Sequence, residues 1–376
     1  MDGRTPAAGD TMPALRWHGP RDLRLDTVAV PEPGPGTVLV AVERVGLCGT
    51  DLEEYTDGPV QIPAAAAHPL SDRRAPVVLG HEVVGRVAAC PGGELRTGAR
   101  VVPDVVVGCG RCWWCGRHQP GLCPTGAVRG LQDDGGLAHY MAADAARAVE
   151  VPEHVPADAA GFAEPLSVAV RALRKAGDLS GACVAVLGAG TIGLLTAAVA
   201  AARGAGRVLA VDPVATRRRL AEGFGAAAAP PDGAADLVGD ASCGRGADVV
   251  VECSGTPPAA AQAPLLARRG GTVVLVGTPP PGTGIAVREV VAREQRVLGS
   301  VAHIWDEDTA AAVALLSRGT IDPSPLLSAV VRLEDAVHGG FERLLRDRDA
   351  LKVLVAPGPA EAPGGAPVPA APSPRP

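Results

Sequence analysis

The sequence contains very few aromatic residues: three Phe, four Trp and two Tyr among 376 residues. Stacked rings therefore cannot fill the interior, and alanine and valine must pack most of it. No run of about 18 uncharged apolar residues is present, which argues against a membrane-spanning helix. The N-terminus also lacks the basic start and apolar run of a secretory signal. We therefore expect a cytoplasmic protein.

The overall charge and the number of cysteines further restrict the class of protein to which the chain can belong. The net charge of −6 gives no general attraction to nucleic acid, and 47% hydrophobic residues can supply real cores. A chain of this length is more than one compact domain usually holds, so two domains are expected. Nine cysteines, four of them clustered, fit metal binding in a reducing compartment better than a disulfide scaffold.

The chain divides into regions that differ in composition and in the pattern of their apolar residues. Residues 1–11 are small and polar, and residues 357–376 are almost all Pro, Ala and Gly, so both segments are expected to be disordered. From about Met12 to Ala160, short Val-rich runs alternate with Gly and Pro, which predicts a largely β domain. From about Ala163 to Val301, apolar strands alternate with Ala/Leu-rich helices, which predicts βαβ units and a parallel sheet.

A glycine-rich motif, GAGTIG, follows one of these predicted strands and opens a predicted helix. Its glycines have G-x-G-x-x-G spacing: Gly188, Gly190 and Gly193. The first permits a tight turn, the second lets the backbone approach a pyrophosphate, and the third allows close packing of helix on strand. Thr191 and Ile192 lie at the helix N-terminus, whose amide groups favour phosphate charge. We predict a dinucleotide site; the alternative is a glycine-rich packing turn in another α/β sheet.

The choice of dinucleotide depends on the next predicted strand, RVLAVD. It ends in Asp212, 19 residues after Gly193. A carboxylate there can hydrogen-bond the ribose hydroxyls and would repel a 2′-phosphate, so the sequence favours NAD over NADP. Arg217 is a further candidate cofactor-binding residue, because Arg217, Arg218 and Arg219 could hold a phosphate if turned inward.

Four cysteines lie close together with C-x2-C-x2-C-x7-C spacing: Cys109, Cys112, Cys115 and Cys123. Four thiolates can surround one Zn²⁺ tetrahedrally, and such a closed shell leaves no position for substrate. We therefore predict a structural zinc site. An iron–sulfur cluster is the alternative, because Pro124 follows the last cysteine as in C-x2-C-x2-C-x3-C-P. The last gap is seven residues rather than three, however, and no second cysteine run accompanies it.

A second candidate metal site combines residues from separate motifs. They are Cys48 in GLCGTD, His81 and Glu82 in VLGHEVVG, and Glu164 in GFAEPLSVAV. A catalytic zinc needs about three protein ligands and one open position for water or substrate. Cys48 and His81 suit the first two positions, and Glu164 lies at the junction between the two regions. Singly, each residue could be an ordinary core thiol, core histidine or surface acid; their combination indicates a metal site.

Over residues 12–356 the chain resembles the zinc-containing medium-chain alcohol dehydrogenases. The resemblance is carried by five motifs in this order: GLCGTD, GHE, the four-cysteine loop, AEPLSVAV and GAGTIG. Within that family the chain resembles the polyol branch, and in particular its 2,3-butanediol dehydrogenases, which share a longer segment before GHE. The resemblance implies an α/β protein with two domains. Residues 12–162 and 308–356 would form a GroES-like, β-rich catalytic domain. Residues 163–307 would form a Rossmann domain with a doubly wound parallel sheet.

The resemblance also implies roles for the second metal site. Cys48, His81 and either Glu164 or Glu82 would bind a catalytic zinc, and the two carboxylates would exchange as the metal's inner shell changes. Asp51 would accept a hydrogen bond from a ring nitrogen of His81 and so fix its tautomer.

The resemblance also implies roles for three further residues near this site. Thr50 would accept the alcohol proton and pass it towards solvent. The family often has a histidine where this chain has Glu53, so Glu53 would end the proton relay, since a carboxylate can also carry a proton. His68, in HPLSD, would either line the substrate entrance or order its own loop.

The activity implied is the NAD-linked interconversion of a small secondary alcohol or diol and its ketone, such as 2,3-butanediol and acetoin, with two Zn²⁺ per subunit. Alternatives on the same scaffold are sorbitol, L-threonine and amino-cyclitol dehydrogenases. An alternative of another class is a non-catalytic protein that binds NAD and zinc. The resemblance implies a homodimer or homotetramer, with a small-molecule substrate and no nucleic-acid or membrane partner.

Overall fold

A computed structural model of the protein describes residues 6–7 and 9–358. Most of the two segments predicted to be disordered, 1–11 and 357–376, lies outside these residues. At the N-terminal boundary the first strand already begins at Thr11, which pairs with Ala29. Within the described part of the chain, no helix has both the length and the apolar character needed to cross a membrane.

The N-terminal region is built mainly of short strands, as its Val-rich runs predict. Its strands are β1 (Thr11–Gly19), β2 (Asp22–Ala29), β3 (Thr37–Gly46), β4 (Val77–Val78), β5 (Glu82–Ala89), β6 (Arg100–Pro103), β7 (Val106–Val107), β8 (Ala127–Val128), β9 (Tyr140–Asp144) and β10 (Ala148–Val151). Its helices are α1 (Gly49–Asp57) and α2 (Ala157–Ala160). The pairings among these strands are antiparallel, and β3 lies between β5 and β9. Valines and leucines fill the core beneath, together with the buried Trp17.

The middle region alternates strands and helices. Its helices are α3 (Ala163–Ala176), α4 (Thr191–Ala202), α5 (Ala215–Gly223), α6 (Ala234–Ser242), α7 (Pro257–Leu266) and α8 (Val287–Ala292). Its strands are β11 (Cys183–Leu187), β12 (Arg207–Val211), β13 (Ala227–Ala229), β14 (Ala247–Glu252), β15 (Ala267–Leu275) and β16 (Arg296–Gly299). They form one parallel sheet in the order β13-β12-β11-β14-β15-β16. The order reverses between β11 and β14, where doubly wound sheets bind ligands. The predicted α/β fold class is confirmed.

The C-terminal segment returns to the N-terminal sheet. It contains α9 (Ala310–Ser317), β17 (Leu327–Arg332), α10 (Glu342–Arg346) and β18 (Lys352–Ala356). Strand β18 pairs antiparallel with the end of β3, so that Leu354 lies opposite Gly46. This pairing brings residues from the end of the chain next to Cys48, which follows β3.

Helix α3 lies at the junction between the two regions. It follows Phe162, and its Leu166 and Leu173 are fully buried in the largest core. The helix ends at Gly177, whose φ of 97° favours glycine. Because Glu164 occupies the first turn of α3, this packing fixes where its carboxylate enters the junction.

A buried ion cluster ties α3 to the segment that follows β16. Asp308, in a π-helical turn (Trp305–Thr309), is 0% exposed and accepts the backbone N–H of Ile304 at 2.8 Å. Its carboxylate also faces the guanidinium groups of Arg171 at 3.4 Å and Arg174 at 2.9 Å. Removal of this carboxylate would leave Arg171, which is buried, without its counter-charge.

We predict that Asp308→Ala lowers the free energy of unfolding by about 3–5 kcal/mol, the range found when one partner of a buried pair is removed. The matched control is Glu307→Ala, because Glu307 also pairs with Arg174 but is exposed. That change should cost at most about 1 kcal/mol. Chemical denaturation of both variants measures the difference. Equal losses in the two variants would show that burial of the carboxylate is unimportant.

Candidate active site and structural metal lobe

The candidate catalytic residues converge where β3, β5 and α1 meet. Cys48 caps the N-terminus of α1, and its backbone N–H donates to the Asp51 carboxylate at 2.9 Å. His81 and Glu82 lie at the start of β5. The ligand atoms of Cys48, His81 and Glu82 all lie within 4.8 Å of one another. The arrangement requires Gly46, because a Cβ there would overlap a carboxylate oxygen of Glu82.

His81 is oriented by Asp51. The Nδ1 atom of His81 lies 3.3 Å from Oδ1 of Asp51, and both residues are buried. Neither of these two atoms has another hydrogen-bond partner. A carboxylate against Nδ1 fixes the tautomer of the ring and leaves Nε2 to bind a metal. The structure thus brings Asp51 and His81 together, as the family resemblance implies.

Glu164 lies outside the group of three and is held by a residue that sequence reasoning did not single out, His303. Its Oε1 lies 3.3 Å from Nδ1 of His303, whose Nε2 lies 3.2 Å from Asp104. Burial alone would lower the pKa of His303, but the carboxylates of Asp104 and Glu164 outweigh it and raise the pKa to about 9. Glu164 therefore sits beside the cluster with a partner of its own.

Glu82 is paired with Lys352, a second residue that sequence reasoning missed. The Nζ atom of Lys352 donates to both carboxylate oxygens of Glu82, at 2.8 and 2.6 Å, and to the carbonyl of Leu47 at 3.0 Å. Burial alone would lower the pKa of Lys352, but the Glu82 carboxylate outweighs it and raises the pKa. The ammonium group is therefore charged at neutral pH and balances the buried carboxylate.

The two predicted proton-relay residues occupy α1. The hydroxyl of Thr50 lies 3.9 Å from the Cys48 sulfur, so it stands beside the metal-ligand group. Glu53 is one turn further along the helix and is exposed to solvent. A relay from Thr50 to Glu53 stays a prediction.

The segment before β4 is ordered by two local anchors. The buried carboxylate of Glu54 accepts the backbone N–H groups of Val60, at 2.9 Å, and Ile62, at 3.2 Å. His68 accepts the N–H groups of Leu70 and Ser71 on Nδ1, at 3.3 and 3.4 Å. Of the two roles considered for His68, the structure supports the ordering of its own loop.

The four clustered cysteines form a separate lobe. The sulfur atoms of Cys109, Cys112, Cys115 and Cys123 all lie within 4.8 Å of one another. Backbone N–H groups, chiefly that of Arg111, lower the pKa of Cys109 to about 6, which favours the metal-binding thiolate. A Cβ at Gly108 would lie 2.6 Å from the Cys115 sulfur, so glycine is needed for the close approach of the chain.

The glycine motif has the geometry of a dinucleotide loop at the end of β11. Gly188 has a φ of 90°, and a Cβ there would lie 2.7 Å from the Ser254 side chain. A Cβ at Gly193 would overlap the carbonyl of Gly188, so the third glycine permits the close approach of α4.

Thr191 begins α4, with Ile192 after it, and the Thr191 hydroxyl donates to the Leu351 carbonyl at 3.0 Å. The backbone of Gly190 is left open, with nothing within 4 Å of a Cβ position.

Asp212 lies at the end of β12, and its carboxylate is only 3% exposed. It accepts the backbone N–H groups of Ala189 and Val214, each at 2.8 Å, and so joins the glycine loop to the start of α5. Arg217 does not turn towards Asp212: its guanidinium donates to the carbonyl of Arg348 at 2.8 Å. Arg218 lies beside Asp212 instead, and its guanidinium donates to the backbone carbonyl of Asp212 at 2.7 Å.

These two groups of residues suit zinc chemically. One thiol, one imidazole and one carboxylate, with a second carboxylate nearby, form the mixed and incomplete donor set of a catalytic zinc. Four thiols form the closed set of a structural zinc. The buried, otherwise unpartnered Nδ1 of His81 facing Asp51 matches the carboxylate–histidine pairing of metal sites.

Comparison with known proteins shows the family of the chain. The family model "Alcohol dehydrogenase GroES-like domain" matches residues 34–153, and "Zinc-binding dehydrogenase" matches residues 191–318. The chain is 31% identical over 353 residues to (R,R)-butanediol dehydrogenase of Bacillus subtilis (92% of this chain, 100% of that protein). It is 32% identical over 334 residues to L-threonine 3-dehydrogenase of Pyrococcus abyssi (87% of this chain, 93% of that protein).

Solved structures agree with this result. The crystal structure of 2R,3R-butanediol dehydrogenase from Bacillus subtilis matches with a TM-score of 0.85 and 30% identity, and covers 92% of this chain and all of that one. A zinc-binding dehydrogenase from Sinorhizobium meliloti 1021, solved with NADP bound, matches with a TM-score of 0.82 and 33% identity, and covers 93% of this chain and all of that one.

The chain belongs to the zinc-dependent alcohol dehydrogenase family. The protein is therefore an oxidoreductase of a family for which zinc is expected, and the predicted family and fold are confirmed. Membership also favours zinc over an iron–sulfur cluster for the four-cysteine lobe.

The residues of the dehydrogenase that sequence reasoning missed left only faint signals. Lys352 stands in an otherwise apolar strand, LKVLVAP, and is one of only two lysines in the chain, the other being Lys175. A lone lysine in a strand that is otherwise buried calls for an acidic partner, and the pattern could have been used to search for one. His303 lies in GSVAH, a stretch that resembles the family, but nothing in that stretch indicates a carboxylate partner for the histidine.

We predict that Lys352→Met lowers the free energy of unfolding of the metal-free dehydrogenase by about 3–5 kcal/mol, because Glu82 would remain buried without a counter-charge. The control is Lys175→Met, since Lys175 is half-buried and donates only to the carbonyl of Gly299 at 2.9 Å. That change should cost about 1 kcal/mol at most. Urea denaturation compares the two variants.

A double variant shows whether the charge is the cause. Lys352→Met/Glu82→Gln removes both charges and should recover most of the lost stability. If Lys352→Met alone unfolds at the same urea concentration as wild type, then the pair does not contribute to the stability of the site.

Proposed function

We propose that the protein catalyses the reversible, NAD-dependent oxidation of a small secondary alcohol or vicinal diol to its ketone, with 2,3-butanediol and acetoin as the best substrate pair. The observation that carries the proposal is the convergence of Cys48, His81 and Glu82 within 4.8 Å, beside the Thr50 hydroxyl. The similarity to a relative named (R,R)-butanediol dehydrogenase supports the choice of substrate.

Each side chain of the site has a task in this reaction. Cys48, His81 and one of two carboxylates, Glu82 or Glu164, would hold a zinc ion, which as a Lewis acid lowers the pKa of the substrate hydroxyl. Thr50 accepts the proton of that hydroxyl, and Glu53 at the exposed end passes it to solvent. Asp51 keeps the His81 ring in one tautomer.

The remaining parts of the chain align the hydride transfer. The glycine loop and the N-terminus of α4 bind the pyrophosphate of the cofactor. The Leu351 carbonyl, bound by Thr191, ties α4 to the strand that carries Lys352. The cofactor loop is therefore joined to the strand whose Lys352 contacts Glu82, and in the proposed reaction the hydride passes from the carbinol carbon to the nicotinamide.

NAD is the proposed cofactor, on the strength of Asp212 and Arg217. The buried carboxylate of Asp212 at the end of β12 would repel a 2′-phosphate. The guanidinium of Arg217 is engaged with the Arg348 carbonyl instead of facing Asp212. Since a relative was solved with NADP bound, the experiment must compare both cofactors.

The four-cysteine lobe would hold a second, structural zinc, so that each chain carries two. Its closed donor set leaves no position for substrate, and its contribution is to the folding of the lobe.

L-threonine oxidation is the second candidate, because a threonine 3-dehydrogenase is 32% identical over most of this chain. Sorbitol and amino-cyclitols are further substrates for the same scaffold. A non-catalytic protein that binds NAD and zinc is the alternative of another class, and the intact Cys48, Thr50 and His81 set argues against it.

We predict that the purified protein oxidises 2,3-butanediol with NAD faster than it oxidises sorbitol, L-threonine or an amino-cyclitol, and that NADP supports a lower rate. The assay uses the (R,R), meso and (S,S) isomers separately. Cys48→Ser should lose turnover and one of two zinc ions per chain, because the thiolate ligand is gone. Zinc is counted by elemental analysis.

The matched control is Cys243→Ser, because Cys243 is exposed and belongs to neither metal group. This variant should keep two zinc ions and full turnover. A higher rate on threonine or sorbitol would replace the butanediol assignment within the same family. Bound NAD and two zinc ions with no turnover on any substrate would support the non-catalytic alternative.

We further propose a homodimer, or a homotetramer built from such dimers, joined through β16. This strand ends the parallel sheet, and among residues 9–358 no strand pairs with its outer edge, which is a template for pairing with a second copy. The residues around it are unusually apolar for a surface: Val287 is 61% exposed, Val291 71% and Val301 54%. An edge of this kind joined to a second copy would bury these valines.

Size-exclusion chromatography with light scattering tests the interface. Wild type should elute at about twice or four times the 37.8 kDa chain mass. The variant Val291→Glu/Val301→Glu should shift towards the monomer, because it places charges in the apolar contact. The control is Val330→Glu, since Val330 is also exposed but lies on β17. A wild type that is monomeric at all concentrations would contradict the proposal.

A further inference from the structure

His303 lies between two carboxylates that come from different parts of the chain. The side chain is only 2% exposed, and its two ring nitrogens face Asp104 at 3.2 Å and Glu164 at 3.3 Å. Asp104 follows β6, and Glu164 opens α3. Nε2 is hydrogen-bonded to Asp104, whereas Nδ1 lies at ion-pair distance from Glu164 and has no hydrogen-bond partner among the described residues. A buried imidazole placed between two carboxylates in this way sets the position of one relative to the other.

The Asp104 side of this contact is rigid. One carboxylate oxygen of Asp104 accepts the backbone N–H of Val106 at 3.0 Å, and the other pairs with Arg147 at 2.7 Å. Asp104 itself is 5% exposed. Because Asp104 is held from two directions, it can serve as a fixed support for the His303 ring.

The backbone that carries His303 is also held in place. Ala302 has a φ of 53°, in the left-handed region that residues other than glycine rarely adopt. It packs against the four-cysteine lobe, since a Cβ at Gly121 would lie 3.3 Å from the Cβ of Ala302. On the other side, the N–H of Ile304 donates to Asp308. Strain of this kind persists only where the surroundings impose it, and here it aims the ring at Glu164.

The two carboxylates near the metal-ligand group therefore have separate anchors. Both carboxylate oxygens of Glu82 accept hydrogen bonds from Lys352, whereas Glu164 contacts His303 through Oε1. The glutamate side chain is flexible, so without His303 the Glu164 carboxylate could move towards the Lys352 ammonium and compete with Glu82. The contact with His303 engages Oε1 of Glu164 and not Oε2.

We propose that His303 is a positioning residue that, braced by Asp104, holds one oxygen of Glu164 and presents the other to the catalytic metal. The inference rests on the proposed function, in which Glu164 is one of the carboxylates that bind zinc. It assigns to His303 the task that the outer partners of metal ligands perform, namely fixing the orientation of a ligand before the metal arrives.

Metal binding by His303 variants tests this proposal directly. Zn²⁺ affinity is measured by competition with a chromogenic chelator, and Co²⁺ is substituted so that its visible absorption reports the ligand geometry. His303→Leu should weaken binding at the catalytic site by about 10–100-fold and change the Co²⁺ spectrum. His303→Gln keeps a donor that can reach one carboxylate and should recover part of both. Metal at the four-cysteine lobe provides an internal reference.

The control variant is His154→Gln, because His154 is an exposed histidine that contacts the carbonyl of Ser317 at 2.9 Å. It should match wild type in affinity and spectrum. If His303→Leu is not recovered as folded protein, His303→Gln carries the test through its own spectrum. Wild-type affinity and spectrum in the folded His303 variants would overturn the proposal and leave the residue a packing role only.

Glu164→Gln separates the failure of this inference from the failure of the proposed site. If Glu164→Gln changes the Co²⁺ spectrum but the His303 variants do not, then Glu164 binds the metal and only the role of His303 is wrong. If Glu164→Gln and the His303 variants all leave the spectrum unchanged, then Glu164 is not a metal ligand, the role of His303 is wrong, and Glu82 is the carboxylate of the proposed site. If the wild type shows no Co²⁺ spectrum beyond that of the four-cysteine lobe, the proposed catalytic site is itself wrong.

Discussion

A charge in the protein interior must be paired, because removal of one partner from a buried pair costs about 3–5 kcal/mol. The junction between the two regions of this protein concentrates such charges, and the fold supplies a partner for each carboxylate. The pairs are Glu82 with Lys352, Glu164 with His303, and Asp51 with His81. The partners come from different strands and helices, so the site exists only when β18 pairs with β3 and α3 is packed at the junction. Fold and site are therefore stabilised by the same contacts.

The parts of the molecule that could be predicted from the sequence depend on neighbours in the chain. The four-cysteine lobe spans only Cys109 to Cys123, so its spacing alone brings the thiols together. The same holds for the glycine loop, because Gly188 and Gly193 are needed for one turn and one helix–strand contact. The alternation of strands and helices likewise predicted the parallel sheet, since each βαβ unit is local.

The parts that could not be predicted depend on distant neighbours. Lys352 and Glu82 are 270 residues apart, and nothing in either motif shows that β18 lies beside β3. The direction of a long side chain is equally hidden, which is why Arg217 was a candidate for the cofactor although its guanidinium contacts the Arg348 carbonyl. The sequence could name Cys48, His81 and the two glutamates, but it could not show which partner holds each one.

We propose that Cys48 and His81, with a carboxylate that has its own partner, form a catalytic zinc site separate from the four-cysteine lobe. Anomalous diffraction at the zinc edge, on crystals of the zinc-loaded protein, tests it most directly. We expect two peaks per chain, one among the four cysteines and one within about 2.0–2.3 Å of Cys48 Sγ, a His81 ring nitrogen and a glutamate oxygen. A single peak in the four-cysteine lobe, with Lys352 and Glu82 still paired, would contradict it.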